Sequence, residues 1–317
     1  MRATAYVPGS CGELVQGLVG ESYFLITCPI DKGSQVTVTL ERGKDYLKGP
    51  AGRSKALHAV RLTLEFLRIK AGALVEIENP LPVGKGLASS TADVAAAAVA
   101  TALAAGRELT LEELTRIVVQ VEPSDGVFLP GISLFEHISG KRWEYLGEPP
   151  PLDILIVDLG GAVDTLAFNR RPDLWELNRA KEKWVREATR LVKEGLSQGN
   201  AALIARGATL SAWANQRILP KEELPVIFDI ALSSGALGIN IAHSGTVVGI
   251  LYEPGTVDQK KLKALLKERY PFLNLMPARV VSGGVKVGEQ KLFLPSRGEL
   301  AGGPAEIRVG ARGASGF

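Results

Sequence analysis

The chain has 317 residues, 46% hydrophobic and 22% charged, with a net charge of +3, an ordinary globular composition that is long for one core and comfortable for two. Its basic residues are scattered, which argues against a nucleic-acid partner. No apolar run reaches bilayer thickness and no cationic start leads into one, so the expectation is a soluble cytoplasmic protein with no membrane partner. Two cysteines, Cys11 and Cys28, cannot build a disulfide framework and read as small buried hydrophobes in a reducing compartment.

In chain order, strands are predicted at 3–8, 21–30 and 34–42, the last alternating with Val36, Val38 and Leu40 on one face. Leu57, Val60, Leu64 and Leu67 form one stripe of an amphipathic helix over 54–70. A strand at 73–78 leads into Pro80-Leu-Pro-Val-Gly-Lys-Gly-Leu-Ala-Ser-Ser-Thr-Ala92, which opens an alanine-rich helix. Thr110-Leu-Glu-Glu113 is a capping box, and the helix it opens ends before Pro123. Strands at 132–138 and 141–146 precede Glu148-Pro-Pro-Pro151, the best domain boundary because a proline run stops regular structure. Beyond it come a strand at 152–159, helices near 172–194, 200–217 and 221–234, and a strand at 246–252. A helix near 256–268 and strands near 278–287 and 290–294 follow. The Gly/Ala-rich tail, 301–317, lacks a core pattern and reads as disordered. Strands interspersed with helices, without strict alternation, define an α+β protein.

The glycine loop carries the chemistry. Glycine lets a backbone approach a ligand closely, and a helix N-terminus offers unpaired N–H groups aligned with its dipole. Gly84 and Gly86 followed by the Ser89–Ser90 pair therefore make a candidate phosphate site. It is not a Walker A loop, since Gly86 and not Ser or Thr follows Lys85, and it lacks the third glycine of a dinucleotide fingerprint. Ser90 reads from its position as a plain helix N-cap. Lys85 reads as a phosphate contact or a solvated loop lysine. Glu122-Pro-Ser-Asp125-Gly puts two carboxylates on one turn, suited to a metal and a proton, or to a capped β-turn. No His-x-x-x-His pairing suggests zinc.

The run Pro82-x-x-x-Gly86-Leu-Ala-Ser-Ser-x-Ala92 resembles the second motif of the GHMP kinases. Pro8-Gly-Ser-Cys-Gly-Glu-Leu-Val-Gln-Gly17 resembles the first, and Gly238-Ile-Asn-Ile-Ala-His-Ser-Gly-Thr-Val-Val-Gly249 the third. The three stand in family order. Their wording is similar to the L-threonine kinase branch, whose members make O-phospho-L-threonine for cobalamin biosynthesis. The resemblance implies a two-domain fold, 1–150 and 151–300, with a ferredoxin-like C-terminal domain and a nucleotide between the two. It implies ATP and Mg²⁺ as cofactors and L-threonine as the small-molecule substrate. Pro82, Gly84, Lys85, Gly86, Leu87, Ala88, Ser89 and Ser90 would bind the nucleotide. Ser90 and Glu122 would hold the metal, with Asp125 as the base. In several relatives the two carboxylates are well separated in sequence, and in the homoserine kinase branch no base is needed, so swapped roles stay open here. Glu13, for an ammonium group, and Ser244 and Gly245 are candidates for the acceptor pocket, as is Asp164-Thr165. Alternatives are another kinase of the family, acting on homoserine or a sugar or polyol, and a non-catalytic nucleotide-binding regulator. Oligomeric state is not legible.

Overall fold

The computed structural model describes residues 1–163, 168 and 170–293. The expectations for Asp164-Thr165 and for the tail at 301–317 lie outside the described residues.

The N-terminal half is built on two long antiparallel strands, β1 (Arg2–Val19) and β2 (Ser22–Arg42). The sequence suggested a strand ending at residue 8 and the next beginning at residue 21. Instead the chain stays extended through the first motif, because register shifts at Pro8/Gly9, Ser10/Glu13 and Glu13/Val15 absorb its proline and glycines. Bulges of this kind bend a strand and re-aim a side chain, here Glu13. The expected strands at 21–30 and 34–42 likewise fuse into β2. The short β3 (Leu47–Lys48), α1 (Ser54–Phe66) and β4 (Ala71–Glu78) follow. Helix α1 stops short of residue 70, and Arg68 just beyond it has a left-handed backbone.

α2 (Ser89–Ala104) is the alanine helix, and it is buried nearly all round, packed on β1, β2 and α1. Small side chains let a helix lie this close to a sheet. Its one charge, Asp93, accepts from Ser34 Oγ at 2.6 Å, Arg53 Nη1 at 2.6 Å and Asn79 Nδ2 at 2.7 Å. These partners satisfy a carboxylate that burial alone would penalise. α3 (Leu111–Val121) begins at the expected capping box, and both reciprocal bonds between Thr110 and Glu113 are present. Strands β5 (Ile132–Phe135) and β6 (Trp143–Gly147) are a hairpin beside β2.

The proline link joins β6 to β7 (Asp153–Asp158). Helices α4 (Leu174–Gln198), α5 (Ala201–Ala214) and α6 (Leu224–Ser233) lead to β8 (Gly238–Ile241) and β9 (Val247–Tyr252). Helix α7 (Gln259–Arg269), capped by Asp258, and β10 (Asn274–Arg279) complete this unit. The expected strand at 278–287 divides into the end of β10 and β11 (Lys286–Val287), which pairs with β12 (Gln290–Lys291). The order β10-β7-β9-β8 puts the unit's fourth strand beside its first, then its third and second. That is the ferredoxin-like arrangement, antiparallel throughout. Its edge strand β8 meets β1 at Glu13↔Ile241, so a single sheet runs through both halves.

Candidate active site

At the end of β4 the Asn79 side chain turns the backbone, its Oδ1 accepting from Leu81 N at 2.9 Å. The chain then passes through Gly84 (φ 75°), Gly86 (φ 84°) and Ala88 (φ 52°) before α2 begins. A left-handed conformation at a non-glycine residue costs about 1–2 kcal/mol, so Ala88 is held there by its surroundings. Ala88 is the N-cap of α2, with no side chain capping the helix and no acidic residue in its first turn. Ser89 and Ser90 are thus the first two helical residues, and neither is an N-cap. The leading N–H groups of α2 are left for an anion.

The three motifs meet at this loop. Ser10 N donates to Leu87 O at 2.9 Å and Gly12 N to Gly86 O at 3.0 Å. From the third motif, Thr246 N donates to Lys85 O at 3.0 Å. A Cβ on Gly86 would lie 2.2 Å from Ala242 Cβ, and one on Gly245 would lie 2.3 Å from Lys85 O. Both glycines therefore serve backbone-to-backbone packing between motifs.

A cleft of about 80 Å³ lies above the loop. Pro82, Gly84, Gly86, Leu87, Ala88, Ser89 and Ser90 line one side, Glu122 to Asp125 the other, and His137, His243 and Ser244 its end. Ser90 Oγ donates to Glu122 Oε1 at 2.5 Å, and the Lys55 ammonium meets Glu122 Oε2 at 2.5 Å. Asp125 is held in place by its own N–H, which donates to Thr91 Oγ1 at 3.4 Å, and by Gly126 N, which donates to Thr27 Oγ1. Burial, reinforced by the Glu122 charge, raises the Asp125 carboxyl to about 6. The Glu13 carboxyl is pushed well up, first by burial and then by the facing Asp125 charge. Two carboxyls so placed titrate together rather than independently.

Not every expected contact is present. Lys85 does not line the cleft: its ammonium pairs with Asp158 on β7 at 3.0 Å, and Thr246 Oγ1 donates to the same carboxylate. The Ser89 hydroxyl faces away into the core network, donating to Leu81 O and accepting from Asn79 Nδ2. Gly245 abuts the loop backbone and is not on the cleft wall, whereas Ser244 is. Glu13 is also absent from the wall; the β1 bulge turns it to Asp125. Sequence reasoning missed Arg53 and Lys55 at the start of α1, and the pair His137 and His243. The two imidazole rings stand 5.2 Å apart, and Gln16 Oε1 lies 3.1 Å from His243 Nδ1. Burial lowers His137 to about 4 and His243 well below its usual value, so both are neutral at physiological pH.

A glycine loop at an uncapped helix N-terminus, facing acidic side chains across a cleft, is the equipment of a phosphotransferase. Family models agree: GHMP kinases N terminal domain matches residues 54–129 and GHMP kinases C terminal matches residues 192–271. The chain is 32% identical to an L-threonine kinase of Salmonella typhimurium, over 90% of this chain and 95% of that protein. It is 30% identical to an L-threonine kinase of Citrobacter freundii, over 90% and 99%. Among solved structures, a homoserine kinase from Cytophaga hutchinsonii superposes with a TM-score of 0.70 at 18% identity, covering 90% of this chain and 97% of that one. A mevalonate kinase from Methanococcus jannaschii gives 0.63 at 18%, covering 89% and 98%. The chain belongs to the GHMP kinases and is an ATP-dependent small-molecule kinase. Among the described residues no helix is long and apolar enough to cross a membrane.

Proposed function

We propose that this kinase phosphorylates the hydroxyl of L-threonine, giving O-phospho-L-threonine and ADP, in the cytoplasm and in the service of cobalamin biosynthesis. The observation that carries the acceptor is the likeness to two L-threonine kinases across nearly their whole length. We divide the chain at the proline link, 1–150 and 151–300.

The phosphates of ATP would lie on the N–H groups of the Gly84–Ser90 turn, where the α2 dipole favours negative charge. Ser90 Oγ and the Glu122 carboxylate are adjacent hard oxygen donors, which suit Mg²⁺. Among the described residues no group of three His, Cys, Asp or Glu side chains could hold a metal ion, which fits an ion completed by phosphate and water. When bound, Mg²⁺ supplies charge neutralisation across the transferring phosphates. Asp125 accepts the threonine hydroxyl proton as the oxygen attacks. Glu13 faces Asp125 and helps to orient it. Neutral His137 and His243, with Ser244, line the end of the cleft beside Asp125, where the acceptor would sit.

The test is ADP release across L-threonine, L-serine, L-homoserine and a panel of sugars and polyols, with the product identified by mass spectrometry. L-Threonine should give the highest kcat/KM. L-Serine should fall short by about 1–3 kcal/mol if the pocket grips the methyl group. A markedly higher kcat/KM for homoserine or a sugar would refute the threonine reading and leave the family intact.

A further inference from the structure

Glu122 is buried, and both its oxygens have partners: Ser90 on Oε1 and the Lys55 ammonium on Oε2. The Lys55 side chain is 46% exposed while that of Glu122 is 6% exposed. Its neighbour Arg53 differs. That guanidinium lies 2.6 Å from Asp93, inside the network that binds α1, α2 and β4. Lys55 can leave by swinging its own stem through solvent, whereas Arg53 cannot move without abandoning a buried carboxylate.

A divalent ion between Ser90 and Glu122 would compete for the carboxylate that Lys55 now holds. Magnesium beside Ser90 would take Oε1 at about 2.0–2.1 Å, and its two charges would repel the ammonium on the other oxygen of the same carboxylate. A buried carboxylate is costly without a paired charge, which Lys55 supplies while no ion is bound. We propose that Lys55 is an exchangeable counter-ion. It neutralises Glu122 in the nucleotide-free enzyme, gives up the carboxylate's charge to the divalent ion, and carries its ammonium onto the terminal phosphate of ATP. A compact charge on a flexible four-carbon stem is suited to such a transfer. The start of α1 has no side-chain cap and no acidic residue in its first turn, so its backbone also favours an anion there. The inference rests on the Ser90–Glu122 metal site proposed above.

Lys55→Met and Glu122→Gln, made singly and together, separate the two ideas. The readouts are Mn²⁺ binding without nucleotide, followed by electron paramagnetic resonance, the Tm gain on adding Mg²⁺, and ATP affinity. Lys55→Met should bind Mn²⁺ about tenfold more tightly than the parent, since a competing cation is gone. It should also gain more Tm from Mg²⁺, and bind ATP more weakly. Should Lys55→Met not fold, Lys55→Arg keeps the ion pair; its two-pronged grip should make Mn²⁺ binding weaker than in the parent. Glu122→Gln should abolish Mn²⁺ binding in either background. If Lys55→Met and Lys55→Arg leave Mn²⁺ and ATP affinity unchanged while Glu122→Gln still abolishes metal binding, the exchange is refuted and Lys55 is a static partner. If Glu122→Gln leaves Mn²⁺ affinity intact, the metal does not sit on Glu122 and both readings fall.

Discussion

Asp125 owes its proposed role to its surroundings. Desolvation and the neighbouring Glu122 charge hold it protonated to about pH 6. If Asp125 takes the acceptor proton, kcat/KM, which reports the free enzyme, should rise with pH and level off near pH 6. Asp125→Asn should remove that break and lower kcat. Loss of a general base typically costs about 10²–10⁴-fold, and the low end is expected because a loose transition state needs little early proton removal. Stability moves the opposite way. The folded carboxyl titrates above its unfolded value, so the native state binds the extra proton and stability falls as pH rises from about 4 to about 6. The Tm difference between Asp125→Asn and the parent should therefore widen, in favour of the variant, over that interval. Thermal scans at several pH values check the sign; a flat difference would mean that Asp125 is not the group titrating.

At the scale of elements, α2 depends on Asp93 for its seat. This carboxylate ties the start of α1, the end of β4 and the middle of β2 to one point. Asp93→Ala would leave the Arg53 guanidinium without its carboxylate and the Ser34 hydroxyl without its acceptor, at a cost of about 3–5 kcal/mol. Urea unfolding should show the midpoint falling with an unchanged slope; a loss below 1 kcal/mol would mean that water replaces Asp93 at no penalty. Such ties also mark where the sequence was legible. Periodicity and glycine spacing located α2, the capping box of α3 and the glycine turn before α2, since each signal is complete within a few neighbouring residues. Lys55 and Arg53 were missed because their partners lie 67 and 40 residues away, and the apolar stripe of α1 reports only its buried face. The continuation of β1 through the first motif escaped the pattern for a related reason: its glycines are bulge positions, and only pairing with β2 shows that the strand continues. Lys85 stands in the loop as expected, but Asp158, 73 residues on, decides where it points.

Across the whole molecule the two halves are joined by close approach of backbones. Gly245 lies outside the left-handed region, so an added Cβ tests contact alone: it would stand 2.3 Å from Lys85 O and 2.5 Å from Gly86 N. Gly245→Ala should therefore force the third motif away from the phosphate loop, lowering Tm and weakening ATP binding together, though the residue is absent from the cleft wall. Calorimetric titration of ATP alongside the Tm would expose the alternative, a loss of stability with affinity unchanged. Gly86, which seemed a ligand-facing glycine, carries the same packing duty against Ala242.

The long β1 strand also sets an order of events while the protein is made. One of its edges pairs with β2, which leaves the ribosome directly after it. The other waits for β8 and β11, and the Cys11–Asn240 bond across that seam spans 229 residues. Until then a nascent chain exposes a sheet edge and the apolar residues Leu14, Val15 and Ile26, whose cover comes largely from the second half. Ribosome-bound chains stopped at the proline link should accordingly recruit chaperones, and chains carried past β11 should release them.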